Sequence, residues 1–419
     1  MHKTKSFCRN CGALCSMELT VDDGKIVAVT GDGTASPYGA YLCPKGLASM
    51  EFHNGAENRL LGSLKRGPNG DFAEIGAERA LDEIAARLKA LIAEHGPRSV
   101  AVFHGTGAYH NVLAGLLEKS FLAAIGSPNL FSTMTIDQSA KWVTWGRMGT
   151  MASGKPSIRD IDLGVIVGNN PLGSHQTMPF APGECGAPAR ALAEAKARGM
   201  RLIVVDPRRT ETARFADLLI QPLPGQDAAL FAAIAHILLR DGTCNAAFCA
   251  RFVTQLDALR RAVAPFTPEF AAELGRLLAE PPDRRFGYRL TVRRVLEAMN
   301  SAYLGARRTA RKYPVNWVHM HPDDVLKEGI AEGAAIELRS ATGRVIGVAK
   351  AEDRMRRGVV SMTHMFGTLE PSTDPWTQGG SNAGALTSLE RGLEPINFMP
   401  RFSGIPIDIR PCDGAGTPS

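Results

Sequence analysis

Four of the eight cysteines, Cys8, Cys11, Cys15 and Cys43, crowd into the start of the chain with the spacing C-x2-C-x3-C-x27-C. Three closely spaced thiols wrap one face of a cubane and a fourth returns from a later loop, the way four thiolates hold an iron–sulfur cluster. Zinc sites favour paired C-x2-4-C knuckles, whereas the second half here is a lone cysteine in Leu42-Cys43-Pro44-Lys45-Gly46. The spacing selects a [4Fe–4S] cluster. Between the cysteines, MELTVDDGKIVAVTGD predicts a hairpin that turns at Asp23-Gly24 and supports the cluster loops.

The other cysteines, Cys185, Cys244, Cys249 and Cys412, are scattered, and eight in 419 residues are too sparse for a disulfide framework. Cys244 and Cys249, five apart, read as structural thiols in a helix–turn. The opening MHKTKSFCRN has neither an apolar core nor paired arginines, so a reducing, cytoplasmic setting is expected. No apolar run is long enough to predict a membrane span. With 44% hydrophobic and 21% charged residues the chain is not intrinsically disordered. A net charge of +6 suits an anionic ligand and is weak support for nucleic acid.

Further along, elements alternate. ERALDEIAARLKALIAEHG has helical periodicity and SVAVFHGTG reads as a short buried strand; the turn-rich NRLLGSLKRGPNGDFAEIG before them reads as a linker. DIDLGVIVGNNP and RLIVVDPRRTETARFAD are continuous apolar strands ending in turns, with the helix ARALAEAKARGM between them. A short strand, a Pro-Gly turn and a long helix follow in DLLIQPLPGQDAALFAAIAHILLRDG. This is an α/β layered pattern with a parallel, Rossmann-like sheet, whose ligands bind beyond the carboxyl ends of the strands. The basic RRFGYRLTVRRVLEAMNSAYLGARRTARK reads as helical and solvated, and the last hundred residues as a small β-barrel. The expected division is a cluster domain at 1–58, a partial α/β domain at 59–131, an α/β dinucleotide-binding domain at 132–275, a basic helical linker at 276–312 and a β-barrel cap at 313–412.

In this order the features resemble the catalytic subunits of the molybdopterin oxidoreductases, of the dimethyl sulfoxide reductase and formate dehydrogenase type. Cys43-Pro44-Lys45-Gly46 resembles the motif closing their cluster domain. GNNPLGSH (168–175), VVDPRRTETARFAD (204–217) and PLPGQDAAL (222–230) resemble their dinucleotide loops. MHPDD, VVSMTHMFG, GGSNAGALTS and LEPINFMPRFSGIPIDIRP resemble their cap domain. The resemblance implies a molybdenum or tungsten bis-molybdopterin guanine dinucleotide cofactor beside the [4Fe–4S] cluster. It implies Lys45 as an electron relay, with Gly168, Asn170, Ser174, His175, Asp206, Arg208, Gly225, Asp227, Thr363, His364, Asn382 and Asn397 around the dinucleotides. Glycine turns expose backbone N–H groups to pyrophosphate, and an arginine such as Arg208 meets phosphate bidentately. Taken singly, Asp206-Pro207 reads equally as a capping turn, 168–171 as an ordinary turn and Lys45 as a surface lysine.

Two departures stand out. The segment MTIDQSAKWVTWGRMG (134–149) matches the family's metal-ligand region with Val143 at the ligand position and Thr144 where formate dehydrogenases carry a histidine. Valine binds no metal. The open alternatives are an oxygen ligand from Thr144, Ser139 or Asp137 in a shifted register, or a non-protein ligand alone. The second departure is length: after VAPFTPEFAAE the sequence passes almost directly to the approach to the cap, so a central block of the family layout is missing. That block's absence predicts an exposed sheet edge and an uncovered apolar face. The expected function is two-electron chemistry on a small-molecule substrate, with a redox partner protein and a partner over the uncovered surface. The other reading is a truncated, non-catalytic paralogue serving electron transfer or assembly.

Overall fold

A computed structural model describes residues 1–412 except 12, 37–38, 56–59, 106–110, 135–138, 149–156, 176–186, 280–284 and 368–380. Asp137 and Cys185, named above, lie outside the described residues. The chain forms two compact units. The first contains Met1–Ile158, His175–Ala191 and Leu393–Pro400; the second contains Arg159–Ser174, Leu192–Gly392 and Arg401–Ser419.

The first unit opens with a three-stranded antiparallel sheet, β1 (His2–Phe7), β2 (Ser16–Asp22) and β3 (Lys25–Gly31), in that order. Asp23 and Gly24 both have positive φ, 46° and 71°, as the two-residue turn that twists with its strands requires. The expected hairpin is there, with one strand added. The turn-rich linker carries a second hairpin, β4 (Ser63–Arg66) with β5 (Phe72–Ile75), which its four-residue strands made hard to see. The helix Ala77–His95 follows, then β6 (Val102–His104) and β7 (Leu130–Ser132), a parallel pair joined through the helix Val112–Ile125. The expectation of a buried strand fails at β6, where Phe103 is 61% exposed: among the described residues the strand pairs with β7 alone and has little to be buried against.

The second unit holds a parallel sheet in the order β10-β9-β8, from β8 (Leu163–Val167), β9 (Arg201–Val205) and β10 (Leu218–Ile220). Its central strand is buried, whereas β8 alternates: Gly164 and Ile166 are covered but Leu163, Val165 and Val167 are exposed. A continuous apolar strand normally has both faces covered; among the described residues one face of β8 is bare. Six strands, β11 (Tyr288–Arg293), β12 (Trp317–Met320), β13 (Ala335–Arg339), β14 (Arg344–Ala351), β15 (Val359–Thr363) and β16 (Ser403–Pro411), close a barrel in the order β11-β15-β12-β14-β13-β16. Leu290, Val318, Met320, Ile336, Leu338, Met362 and Ile407 fill it. Gly347 is required by close approach: a Cβ there would lie 2.4 Å from Val318 Cγ2.

The barrel corrects the reading of 276–312 as a helical linker. Its YRLTVR stretch is a strand, and among the described residues at the basic end Arg307–Lys312 is helical. The basic run is not simply a solvated face either, because Arg289 is buried and the Arg293 side chain is only 10% exposed. A strand sends alternate residues inward, so charge content alone misreads such a segment.

Candidate functional site

The cluster-side residues all belong to the first unit. The Cys8 amide donates to the Cys15 carbonyl at 2.8 Å and the Leu14 amide to the Cys11 carbonyl at 3.3 Å, folding the first three thiols into one loop. Cys43 precedes the short helix Pro44–Leu47, with Pro44 at its first position where a missing N–H costs nothing. Gly46 lets that turn close on the loop, since a Cβ there would stand 3.0 Å from Leu42 and 3.7 Å from Cys8 Sγ. Cys8, Cys15 and Cys43 are buried, and Lys45, 1% exposed, is among the most deeply buried large side chains of the protein. The alternative reading of Lys45 as a surface residue is thereby overturned.

Burial, with repulsion from Cys43 and Cys11, pushes the Cys8 thiol up to about 11. Burial and its three neighbouring thiols push Cys15 up to about 12, and Cys11 is raised by burial and Cys43. Lys45 pulls Cys8 and Cys11 the other way. Such a nest penalises free thiolates at Cys8, Cys11 and Cys15, and coordination to iron reverses the penalty. Among the described residues no three His, Cys, Asp or Glu side chains converge on one metal-ion position. A cubane instead takes each thiolate at a separate iron corner, so the donor set fits it better than a single ion.

His175 joins this group. It is buried, has φ 50°, and its ring stacks on Tyr41 with centroids 5.7 Å apart. Tyr41 Oη lies 3.1 Å from His175 Nδ1, and Cys11 Sγ lies 3.6 Å from the His175 carbonyl oxygen. Burial, then the nearby thiolates, pushes the Tyr41 phenol well above its usual range. Of the residues expected around the dinucleotides, His175 therefore sits against the cluster cysteines. Asn397, also in the first unit, accepts from Ser139 Oγ and the Met399 amide. Thr144 is exposed on the helix Ser139–Met148 and gives its hydroxyl to the Ala140 carbonyl at 2.9 Å.

In the second unit the loops after β8 and β9 lie at the carboxyl ends of neighbouring strands, where Val167 pairs with Val205. Gly168, at φ 55°, continues the ladder by donating to the Val205 carbonyl. Asn170 ties the two loops: its Nδ2 donates to Glu211 Oε2 at 2.6 Å, and its Oδ1 accepts the Thr212 amide and hydroxyl. Its carbonyl accepts the Gly173 and Ser174 amides. The loop after β9 is stitched to the barrel as well, Arg209 N to Arg354 O and Arg356 N to Pro207 O. Asp206 accepts the Arg208 amide, and burial raises its carboxyl.

A cleft of about 620 Å³ opens here, within the range of about 300–1,000 Å³ usual for small-molecule sites. Six cations (Arg208, Arg293, Arg294, Lys312, Lys350, Arg354) and three acids (Glu211, Glu352, Asp353) line it, an excess of three positive charges. Glu352 is the hub, with Arg293 at 2.7 Å, His319 at 3.0 Å and Arg354 at 2.9 Å. Burial opposes its charge, but His319 and Arg293 overcome that and hold the carboxyl far below its usual range. Burial, then repulsion from Arg208, lowers Arg293 to about 10. Burial lowers His319 to about 4. The arginines are held by carboxylates at the cleft wall, and the surplus positive charge suits a phosphate-bearing ligand. Arg208 lines the cleft and Asn170 braces it through Glu211.

The remaining expected residues are engaged locally. Gly225, at φ 102°, makes the turn before the helix Asp227–Arg240, and Asp227 favours that helix's first turn. Thr363 Oγ1 accepts the Met365 amide, His364 Nε2 lies 3.0 Å from Asn300 Oδ1, and Asn382 caps Ala383–Leu386. Sequence reasoning missed Tyr41, Arg293, His319 and Glu352. Arg293 is recoverable from the alternation in YRLTVR, but nothing local marks the other three.

Residues 1–55 match the molybdopterin oxidoreductase Fe4S4 domain, and residues 288–406 the molydopterin dinucleotide binding domain. The chain is 28% identical over 278 residues to F420-dependent formate dehydrogenase 1 subunit alpha of Methanococcus maripaludis, covering 66% of this chain and 39% of that one. It is 27% identical over 281 residues to formate dehydrogenase H of Escherichia coli (65% and 38%), and 28% over 292 residues to periplasmic nitrate reductase of Desulfovibrio desulfuricans (66% and 37%). The chain thus spans less than two-fifths of the length of these relatives. Acetylene hydratase from Pelobacter acetylenicus shares the fold, with a TM-score of 0.80 at 13% identity, over 97% of this chain and 100% of that one.

Proposed function

Because the chain belongs to the molybdopterin oxidoreductase superfamily, we propose that it performs two-electron chemistry on a small-molecule substrate at a Mo or W bis-molybdopterin guanine dinucleotide, passing single electrons through a [4Fe–4S] cluster on Cys8, Cys11, Cys15 and Cys43. The observation that carries this reading is the buried thiol nest with the Lys45 cation enclosed beside it. The pterin-held metal supplies the two-electron exchange when bound. Lys45 favours the reduced, more negative cluster. Arg208, Arg293 and Arg354 offer their guanidinium groups to the anionic groups of the dinucleotide, and Glu211 and Glu352 fix their direction.

Metal and pterin analysis of anaerobically purified protein tests this. The expected content is about four irons per chain, with Mo or W and a guanine pterin. Iron without any pterin metal would overturn it.

The second reading, a non-catalytic paralogue in electron transfer or assembly, draws support from the bare face of β8 and the share of relatives' length that is present. On either reading a redox partner protein receives or supplies electrons, and another polypeptide covers the exposed apolar surface. Stoichiometric, substrate-driven reduction of a viologen dye by the purified chain would exclude the second reading. Among the described residues no helix is long and apolar enough to cross a membrane. We place the protein in the cytoplasm, a reading that rests on cysteines too sparse for a disulfide framework. We propose the domain division read from the sequence with one change: the cap starts at Tyr288, which removes most of the helical linker.

A further inference from the structure

Cys244 and Cys249 take no part in the function proposed above. They flank the start of the helix Ala246–Phe252 in the second unit. Asn245 is its N-cap: its side-chain oxygen accepts the Phe248 amide at 2.9 Å, and its carbonyl accepts the Cys249 amide at 2.9 Å. Counting from that cap, Cys244 is the residue before it and Cys249 the fourth helical residue. Side chains at these two positions meet across the first turn, where an apolar pair usually fixes the entering chain. Here both are thiols. Both are free and half-buried, and they lie within hydrogen-bonding reach of each other. Burial, and then the Cys244 sulfur, hold the Cys249 thiol above its ordinary value.

We propose that Cys244 and Cys249 form a redox-modification site that closes to an intramolecular disulfide by exchange with a low-molecular-weight disulfide. One cysteine loses its proton to water, and its thiolate attacks the small disulfide. A mixed disulfide forms and one small thiolate leaves. The second cysteine, deprotonated in turn, attacks the protein-side sulfur; the Cys244–Cys249 bond forms and the second small thiolate leaves. The protein gives up two electrons and two protons, and the small disulfide becomes two thiols. A disulfide needs Cβ atoms about 3.5–4.5 Å apart, an approach that the contact across the first helical turn favours. The capped turn already holds the two residues, so closure orders little additional chain. The bond replaces a contact that frays with one that does not, and pins the start of the helix.

The holoprotein, with its cluster intact, is equilibrated anaerobically against oxidised and reduced glutathione, quenched in acid, alkylated and mapped by peptide mass spectrometry. The expected result is a peptide carrying both cysteines that has lost two hydrogen atoms, resists alkylation and reopens with dithiothreitol, while the visible absorbance of the cluster is unchanged. In Cys244→Ser, Cys249 is expected to stop at a glutathione adduct. Full alkylation of both residues after oxidation overturns the proposal. So does a stable glutathione adduct in the unaltered protein, or a link from either residue to Cys412.

Discussion

The Tyr41 hydroxyl reaches the His175 ring at 3.1 Å while the two rings stack, so one phenol fixes His175 beside the cysteine segment of the same unit. His175 has positive φ, a conformation that a non-glycine residue keeps only when its surroundings fix it. Removing the hydroxyl in Tyr41→Phe is expected to cost about 1 kcal/mol. Tyr41→Ala adds the loss of the stacked pair, about 0.5–1.5 kcal/mol beyond its buried area. The temperature at which the cluster's visible absorbance bleaches should fall in that order. Identical bleaching of Tyr41→Phe and the unaltered protein would show that the hydroxyl contributes nothing.

Lys45 leads to a second prediction. It is fully buried and pulls the Cys8 and Cys11 thiols toward their charged forms. Reducing a cluster adds negative charge, and a nearby cation in a poorly solvated site stabilises it. Lys45→Met should therefore lower the cluster midpoint potential, and Lys45→Arg should keep most of it. Potentiometric titration followed by electron paramagnetic resonance measures both. A potential unchanged in Lys45→Met would remove the lysine from the electron path.

The Glu352 network predicts both a mutational and a pH effect. Glu352→Gln strands the buried Arg293 and is expected to destabilise by about 3–5 kcal/mol, whereas Arg293→Met combined with Glu352→Leu is expected to come close to neutral. His319 and His364 are lowered to about 4, by burial first, then with Arg293 opposing the charge of His319 and Arg294 that of His364. In the unfolded chain they titrate near 6.5. Between those values the unfolded state binds more protons, so stability falls as pH drops from about 6.5 toward 4. The depressed Glu352 carboxyl adds to the loss at the acid end. Urea midpoints should drop from pH 7 to pH 5, and less steeply in His364→Gln. A flat profile would show that neither histidine is neutral in the fold.

What sequence made legible follows from range. The cluster thiols, the Asp23-Gly24 turn and the strands around Val165 and Val204 are local patterns, and each is where its pattern puts it. The loops 168–175 and 206–212 carry local motifs, whereas the part of Asn170 as a brace between them depends on Glu211 and Thr212, which lie about forty residues away. In sequence Arg293 reads as part of a solvated basic run, because barrel closure, which buries it against Glu352, is a property of six strands together. Tyr41 and His319 act through partners distant in sequence, and no spacing announces them.

The bare surface of the first unit carries the last prediction. Leu113, Leu116 and Leu117 form a stripe on one side of the helix Val112–Ile125, each more than 60% exposed, and Phe121 extends it. Such a stripe normally faces a second layer, and an uncovered one drives self-association. The chain purified without a partner should bind 1-anilinonaphthalene-8-sulfonate and scatter light increasingly with concentration. Leu116→Glu combined with Leu117→Lys removes apolar surface that folding has not buried, so its stability cost should stay within about 0.5 kcal/mol per site. It should suppress both signals while iron content is unchanged. If the unaltered chain is monodisperse and dye-silent, the stripe is covered by something the isolated chain itself provides, and the case for a covering polypeptide falls.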